Sequence, residues 1–219
     1  MQGGWIGNVL FVDLTEQKVS QEALDMDFAR KYVGGVGFGM SYIYDEALPG
    51  IDAFDPENPL VFATGPMTGT SALASGAVAM VTKSPITGFT VGMGTANGLF
   101  GARLKFAGYD AIVIRGESGR PVYLWIEDGK AELRDATKFW RTNGLEAEGL
   151  IKQELGEMQA SVACIGLAGE NMVRFATVYS DSGHIVASGG VGAVMGAKKL
   201  KAVAVHGTDK VPVANKEEL

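Results

Sequence analysis

The sequence predicts an α+β fold, and three observations support this prediction. Predicted strands outnumber predicted helices, and several successive strands are separated only by connections of hairpin length, which favours antiparallel pairing over a doubly wound parallel sheet. Two segments far apart along the chain also share one layout of glycine-rich loop, short helix and apolar strand. Because no stretch of the 219 residues has the composition of an interdomain linker, we expect one large domain.

Short apolar runs bounded by glycine, proline or aspartate predict the strands, and helical spacing of apolar residues predicts the helices. The predicted strands are residues 7–13, 18–22, 60–63, 77–82, 111–114, 122–126, 131–133, 161–165, 173–179 and 202–205. The predicted helices are residues 25–33, with Asp25 as N-cap, 40–47, 99–106, 144–155 and 191–199. We expect loops over residues 92–98 and 180–190, and the beginning of a further helix in the charged residues 215–219.

Charge and composition exclude several classes of function. A net charge of −6 argues against a nucleic-acid surface, which needs concentrated positive charge. No apolar stretch approaches the ~18–20 residues of a membrane span, and the first residues lack a signal peptide, so we expect a cytoplasmic protein with no membrane partner. The single cysteine, Cys164, lies in an apolar run and is predicted to be buried. It excludes an intrachain disulfide and a cluster held by four cysteines of this chain, and only two histidines argue against a protein-built zinc site.

Glycine is the most unusual feature of the composition, with 31 residues in clusters, roughly twice average usage. The clusters are residues 34–39, 92–101 and 188–196. None has a Walker motif, and residues 34–39 lie between two predicted helices, which favours a packing role there. Glycine loops before helices bind anions through exposed N–H groups and the helix dipole. For the second and third clusters we therefore favour close approach by a ligand.

The shared layout covers residues 98–105 with strand 111–116, and residues 192–201 with strand 202–207. Coincidence is one explanation, because such units are short and common. Duplication is the other, and it would place two equivalent glycine loops around a pseudo-twofold axis, suited to a ligand with two similar halves.

Side chains for catalysis are not evident, because no nucleophile–base pair follows from spacing alone. Asp110 and Glu117 flank a predicted strand and are interpreted as its solvated ends. Glu170 is a candidate turn cap, and His184 is either a phosphate donor or a surface residue beside Ser188. We assign no catalytic residue in this chain.

Seven segments, in order along nearly the whole chain, resemble the N-terminal domain of the aldehyde:ferredoxin oxidoreductase family. They are GNVLFVDLT (7–15), YVGGVG (32–37), TGPMTGT (64–70), TKSPITGF (82–89), LKFAGYDAI (104–112), IGLAGEN (165–171) and GGVGAVMG (189–196). The resemblance implies two similar mixed β-sheets related by a pseudo-twofold axis, with a few short helices.

The same resemblance implies a cofactor carried on one surface of the domain. This cofactor is tungsten, or molybdenum, held by the dithiolene sulfurs of two pterins, with no side-chain ligand to tungsten from this domain. A magnesium ion joins the pterin phosphates and is held partly by backbone near Thr95 and Val186. The implied cofactor-binding residues are Ala77, Gly92, Gly94, Thr95, Ala96, Asn97, His184, Ile185, Val186, Ala187, Ser188, Gly189 and Gly190.

This chain departs from the family pattern, which has an arginine near Ala77 and arginines near Ile185 and Ser188. All three positions are uncharged here. Phosphate contact is therefore expected from backbone amides, the hydroxyls of Thr95 and Ser188, or His184.

Residues 1–210 are expected to form the cofactor-binding domain, and 211–219 the start of a connection to a downstream domain. The resemblance places a 4Fe-4S cluster and proton-transfer residues in later domains, so we expect a fragment, a split gene product or a stand-alone remnant. The implied activity, in anaerobic metabolism, is oxidation of aldehydes to carboxylic acids with electrons passed to ferredoxin or another carrier. We expect this domain alone to be inactive, and a homodimer is an open possibility. The alternative function is a non-catalytic pterin- or phosphate-binding module.

Overall fold

The computed structural model describes residues 3–215 and 217–219. Strands over these residues are Asn8–Asp13 (β1), Lys18–Ala23 (β2), Leu60–Thr64 (β3), Val78–Lys83 (β4), Val91–Ala96 (β5), Ala111–Arg115 (β6), Val122–Glu127 (β7), Lys130–Asp135 (β8), Ser161–Cys164 (β9), Val178–Ser180 (β10), His184–Val186 (β11) and Leu200–His206 (β12). The α-helices are Met26–Tyr32 (α1), Val36–Glu46 (α2), Phe100–Phe106 (α3), Gly144–Leu155 (α4), Leu167–Glu170 (α5) and Val191–Ala197 (α6), and Thr137–Phe139 forms a 3-10 helix.

The strands form two six-stranded mixed sheets with the same order. Sheet A is β2-β1-β6-β3-β4-β5, and sheet B, taken in the same direction, is β8-β7-β12-β9-β10-β11. In each sheet only the second and third strands of this order pair in parallel, β1 with β6 and β7 with β12. The predicted α+β fold with two similar sheets is confirmed, and the repeated layout recognised in the sequence corresponds to α3–β6 and α6–β12.

A shared apolar core lies between the sheets, with α3 and α6 inside this layer. Successive strand residues point to opposite faces, so Phe62 of β3 enters the shared core while Val61 packs against Phe38 of α2. On sheet B, Leu124 points inward and Tyr123 packs outward against the α4 side. The molecule therefore has outer helices on both sides of a two-sheet core.

Local helix signals are mostly confirmed. The Asp25 carboxylate accepts the N–H of Asp27 at 2.8 Å and caps α1, as predicted. Helix α2 begins at Val36, so residues 34–39 interrupt the helices only briefly. A Cβ at Gly37 would collide with the Tyr32 carbonyl, and one at Gly39 with Val81. Packing thus explains this glycine cluster.

Three local predictions were wrong. Most of the predicted loop 92–98 is strand β5, because its backbone pairs in register with β4, and the predicted loop 180–190 contains β11. Of the predicted strand 173–179, only Val178 and Tyr179 are extended, because the preceding residues turn and the Ala176 carbonyl accepts the Gly192 N–H of α6.

The C-terminal residues return to the start of the domain. The Pro212 carbonyl accepts the Gly4 N–H at 2.7 Å. Glu217 and Glu218 lie in a turn, while Lys216, within the predicted terminal helix, lies outside the described residues. No helix in the described part of the chain is long and apolar enough to span a membrane.

Two ion pairs are buried in the core. Lys105 Nζ lies 2.7 Å from Asp110 Oδ1, and both side chains are fully buried. Asp110 also accepts the N–H groups of Ile6 and Gly7, at 3.1 and 2.7 Å, so its interpretation as a solvated strand end was wrong. Burial lowers the pKa of Lys105, although the Asp110 charge opposes this shift.

The second buried pair joins Lys201 and Glu170, and Lys201 also donates to the Thr142 carbonyl at 3.0 Å. Glu170 accepts the Arg141 N–H at 2.8 Å. Glu170, predicted to cap a turn, therefore binds a buried cation as well as a backbone N–H group.

Two further buried groups have strongly shifted pKa values. Lys198 donates to the carbonyls of Pro56 at 2.7 Å and Gly116 at 3.1 Å, and burial lowers its pKa to about 8. Cys164 is buried as predicted, and burial raises the pKa of its thiol to about 12.

Candidate functional site

The two predicted loops meet where the last strands of the two sheets adjoin. Strand β5 ends sheet A and β11 ends sheet B, so each pairs with a neighbour on one side only. A Cβ at Gly94 would lie 2.7 Å from Val186 Cγ1, and one at Gly189 would lie 2.5 Å from the Met93 nitrogen. Glycine at these positions lets the two backbones touch.

This contact gives the glycines a role that we did not predict. Gly92 faces the Gly189 carbonyl, and Gly94 faces the Ala187 carbonyl, too closely for any side chain. Their nearest neighbours are thus residues of the opposite loop. The predicted ligand contacts remain predictions, and the structure brings the residues predicted to make them onto one edge.

Side chains along this edge divide into exposed and buried groups. Thr95, Asn97, His184, Ala187 and Ser188 are exposed, and 45% of Ile185 is accessible. Ala96 and Val186 are buried in the shared core. Their side chains therefore anchor the two strands, and only their backbone is available to a ligand at this edge.

Ala77 lies beside the edge, immediately before β4. Its carbonyl accepts the Thr68 hydroxyl at 3.1 Å and lies 2.7 Å from the place of a Cβ at Gly101. The preceding Gly76 packs against the Gly98 carbonyl. The structure therefore places Ala77 next to the end of the first loop and in contact with the first turn of α3.

The second loop ends in three consecutive left-handed residues. Ser188, Gly189 and Gly190 have φ values of 69°, 68° and 74°. Ser188 is the only one with a side chain, and a left-handed conformation costs such a residue roughly 1–2 kcal/mol. This conformation presents the Ser188 side chain to solvent.

Several N–H groups at the helix ends near the loops already donate hydrogen bonds within the protein. Asp181 Oδ2 accepts the N–H groups of Leu99 and Phe100, each at 2.8 Å, at the start of α3. At the start of α6, the Gly192 N–H donates to Ala176. These N–H groups of the helix ends favoured by the sequence pattern are therefore already used, while loop side chains and strand-edge amides are further donors for an anion.

Asp181 is the residue at this site that we missed. It follows β10 in a turn, and it contacts residues about 80 positions earlier in the other half of the molecule. Aspartate before serine and glycine indicates a turn. No local pattern identifies the helix that its carboxylate caps.

Comparison with known proteins identifies relatives of this chain. A family model described as aldehyde ferredoxin oxidoreductase, N-terminal domain, matches residues 9–207. A tungsten-containing aldehyde ferredoxin oxidoreductase of Pyrococcus abyssi is 47% identical over 97% of this chain and 35% of its own length. The aliphatic sulfonate oxidoreductase WOR-like subunit of Pyrococcus furiosus is 38% identical over 97% of this chain and 36% of its own length.

A solved structure has the same fold. The active site complex BamBC of benzoyl coenzyme A reductase, with 1,5-dienoyl-CoA, contains a chain that superposes with a TM-score of 0.96 at 40% identity. The match covers 100% of this chain and 33% of that one. The present chain thus spans about a third of the length of the relatives it matches. The matching family model and these identities show that the chain belongs to the aldehyde ferredoxin oxidoreductase family, in which it corresponds to the N-terminal domain.

Proposed function

We propose that residues 1–210 form the cofactor-binding domain of a tungsten or molybdenum bis-pterin oxidoreductase. The observation that carries this proposal is the junction of β5 and β11, where the glycine-containing strand β5 meets β11 and the glycine loop that follows it, and polar groups are exposed side by side. Two equivalent edges from two sheets of the same order suit a ligand with two similar halves.

The residues at the junction fit the polar parts of such a cofactor. Thr95 and Ser188 offer hydroxyls, Asn97 an amide and His184 an imidazole, all exposed. Magnesium prefers oxygen ligands, which strand-edge carbonyls near Thr95 and Val186 would supply. Loops 92–98 and 184–190 contain no arginine or lysine, so phosphate binding here relies on neutral donors and His184.

The proposed roles of the remaining residues follow from their burial. Ala96 and Val186 hold the two edges to the core, while Ile185, Ala187 and Ala77 border the cofactor with small or apolar surface. Gly92, Gly94 and Gly189 keep the backbones of the two loops close, and Gly190 packs against the Arg174 carbonyl and Pro85. When bound, the cofactor supplies two-electron redox chemistry at its metal, and none of these residues acts as a catalytic acid or base in our proposal.

The substrate is determined outside this domain in our proposal. Relatives that share the domain are named for aldehydes, aliphatic sulfonate and benzoyl coenzyme A. We propose oxidation of an aldehyde with water to a carboxylic acid, releasing two electrons and two protons. Downstream domains would hold a 4Fe-4S cluster that passes the electrons to ferredoxin, in a cytoplasmic protein of anaerobic metabolism. The isolated domain would be inactive, and homodimerisation would involve the longer protein.

Metal and pterin analysis of the full-length protein tests the proposal. We expect tungsten or molybdenum together with pterin fluorescence after oxidation, and lower contents of both in a Thr95→Val, Ser188→Ala double variant. Thr137→Val serves as control, because Thr137 is an exposed threonine in the 3-10 helix that follows β8. This variant should keep the wild-type content of metal and pterin. Absence of both metal and pterin from the wild-type protein with its downstream domains would contradict the proposal.

A further inference from the structure

The turn between β10 and β11 links the two halves of the molecule at the proposed cofactor site. Its residue Asp181 belongs to the half containing sheet B, yet its carboxylate accepts both Leu99 and Phe100 N–H groups of the other half at 2.8 Å. A Cβ at Gly98 would lie 2.8 Å from Asp181 Oδ2 and 2.8 Å from His184 Cδ2. The end of the first loop therefore lies directly against this turn and against His184.

Contacts from α4 hold this turn in a backbone conformation that is unfavourable for residues other than glycine. Asp181 and Ser182 are both left-handed, with φ values of 46° and 58°. The buried Glu148 of α4 accepts hydrogen bonds from the Ser182 N–H at 2.9 Å and from the Ser182 hydroxyl at 3.3 Å. Glu148 also forms an ion pair with Lys152 at 2.6 Å. Consecutive non-glycine left-handed residues persist only where surrounding contacts impose them. These contacts fix the direction of the Asp181 carboxylate.

We propose that Asp181 is a positioning residue that clamps the loop ending at Gly98 to the loop beginning at His184. This inference rests on the proposed function, and it extends that function to a residue that is not among the proposed cofactor-binding residues. Asn97 and His184, two of the proposed donors, lie on opposite sides of the clamp. Their separation is thereby set before any ligand binds.

A simple helix cap is the competing explanation, since carboxylates at helix N-termini stabilise many proteins. The chain offers a matched control, because Asp25 caps α1 through the Asp27 N–H at 2.8 Å and lies on the outer side of sheet A. Loss of either cap weakens one helix start. Only loss of Asp181 also removes the hydrogen bonds that join the end of the first loop to the β10–β11 turn.

The experiment uses the full-length protein with Asp181→Ala, Asp181→Asn and Asp25→Ala. Hydrogen exchange of peptides covering Leu99 and Phe100 should accelerate about fivefold to thirtyfold in Asp181→Ala. Apparent cofactor affinity falls with the fraction of molecules that keep the loops together. Tungsten or molybdenum and pterin retained after dialysis against a chelator should therefore decrease in Asp181→Ala. Asp181→Asn, which keeps an acceptor oxygen, should restore most of both readouts, and Asp25→Ala should retain wild-type cofactor.

Each outcome decides a separate point. Unchanged exchange in Asp181→Ala would overturn the clamp, and faster exchange with wild-type cofactor retention would reduce Asp181 to a helix cap. Equal cofactor loss in Asp25→Ala would overturn the positioning role. If Asp181→Ala does not fold, Asp181→Ser, with a shorter acceptor, takes its place with an intermediate loss expected. A wild-type protein without metal and pterin would contradict the proposed function and the positioning role together, while the exchange data would still decide whether the loops are clamped.

Discussion

The two halves of the molecule bury ion pairs of opposite polarity at equivalent positions. Asp110 immediately precedes Ala111, which pairs with Val9 of β1, and Lys201 immediately precedes Ala202, which pairs with Tyr123 of β7. Asp110 accepts two backbone N–H groups ahead of β1, whereas Lys201 donates to a carbonyl ahead of α4. The repeated feature is a buried charge that ties an incoming segment. Both segments present both kinds of backbone group, because Lys105 also donates to the Gly4 carbonyl and Glu170 accepts the Arg141 N–H. The two halves differ in which member of the pair precedes Ala111 or Ala202, the carboxylate in the first half and the lysine in the second.

The two strand edges that form the candidate site also differ, in length and in local conformation. The β4–β5 hairpin has six paired positions from Val78 to Lys83, and β10–β11 has three from Val178 to Ser180. Sheet A provides a strand spaced by glycine, and sheet B provides a short strand followed by a left-handed turn. Equivalent places in the two sheets are thus built by different local means.

Breaking the buried ion pairs gives the largest expected effect. Lys201→Met should lower the free energy of unfolding by about 3–5 kcal/mol, because Glu170 stays buried with a single backbone donor. Lys105→Met should cost less, because Asp110 keeps two backbone N–H donors. Chemical denaturation measures both values.

The exposed pair between Lys199 and Glu117, with side chains 39% and 40% accessible, is the control for these variants. Lys199→Met should change stability by less than about 1 kcal/mol. A Lys201→Met variant no less stable than Lys199→Met would show that the buried pair does not stabilise the second half.

Lys198 in the second half should add to the pH dependence of stability a contribution that its counterpart cannot make, since the equivalent helix C-cap of the first half is Ala107. Its pKa is lowered from 10.5 to about 8, so the unfolded chain binds the proton more tightly. Stability should therefore rise as pH increases from about 8 to about 10.5, by at most about 3 kcal/mol. Unfolding curves of the wild type and of Lys198→Met across this pH window test the Lys198 contribution. The contribution of Lys105, whose pKa is also lowered, is present in both proteins and cancels in the comparison. Parallel pH profiles would contradict the assignment.

The contact between the loops is tested by Gly189→Ala against Gly88→Ala. Both glycines are left-handed, with φ values of 68° and 77°, but only Gly189 has a close neighbour at the Cβ position. Gly88→Ala should cost about 1 kcal/mol from backbone strain, and Gly189→Ala about 2–3 kcal/mol once displacement of the opposite strand is added. Thermal unfolding measures the difference. Equal losses of stability in the two variants would show that the contact with the opposite strand does not require glycine at position 189.

The smallest effect is expected at Ser180, whose counterpart in the first half is the apolar Met80. Within the described residues, the buried Ser180 hydroxyl has no hydrogen-bond partner. Ser180→Ala should therefore stabilise the protein by up to about 1 kcal/mol in denaturant titrations. Thr82→Val is the comparison, because the buried Thr82 hydroxyl donates to the Pro59 carbonyl at 2.8 Å and its loss should destabilise. Destabilisation by Ser180→Ala would indicate a partner for that hydroxyl.

Local patterns predicted much of the fold. Short apolar runs placed β1, β3, β6 and β12 within a few residues, and Asp25 marked the start of α1. The repeated glycine–helix–strand layout left coincidence and duplication as explanations, and the common strand order of the two sheets favours duplication. These features depend on neighbours in sequence, which is why they are visible there.

Features set by distant contacts were not predictable from the sequence. Strand β5 carries glycines that weaken a strand pattern, and it is extended because β4 pairs with it and Ala96 enters the core. The sequence around Asp110 is typical of an exposed strand end, whereas in the folded chain Asp110 is buried against Lys105. The meeting of the two loops depends on the packing of two sheets, which no single segment encodes.

The separation of the two sheets along the chain has a consequence for synthesis. Sheet A uses residues 8–115 and sheet B residues 122–206, so all described strands of the first sheet emerge before those of the second. Until then, Phe62 and Met80 on the inner face have no opposing layer, and α3 lacks its Asp181 cap. During translation the first half is therefore the segment most in need of chaperone protection, and one event, arrival of the second half, both covers this surface and assembles the loop junction.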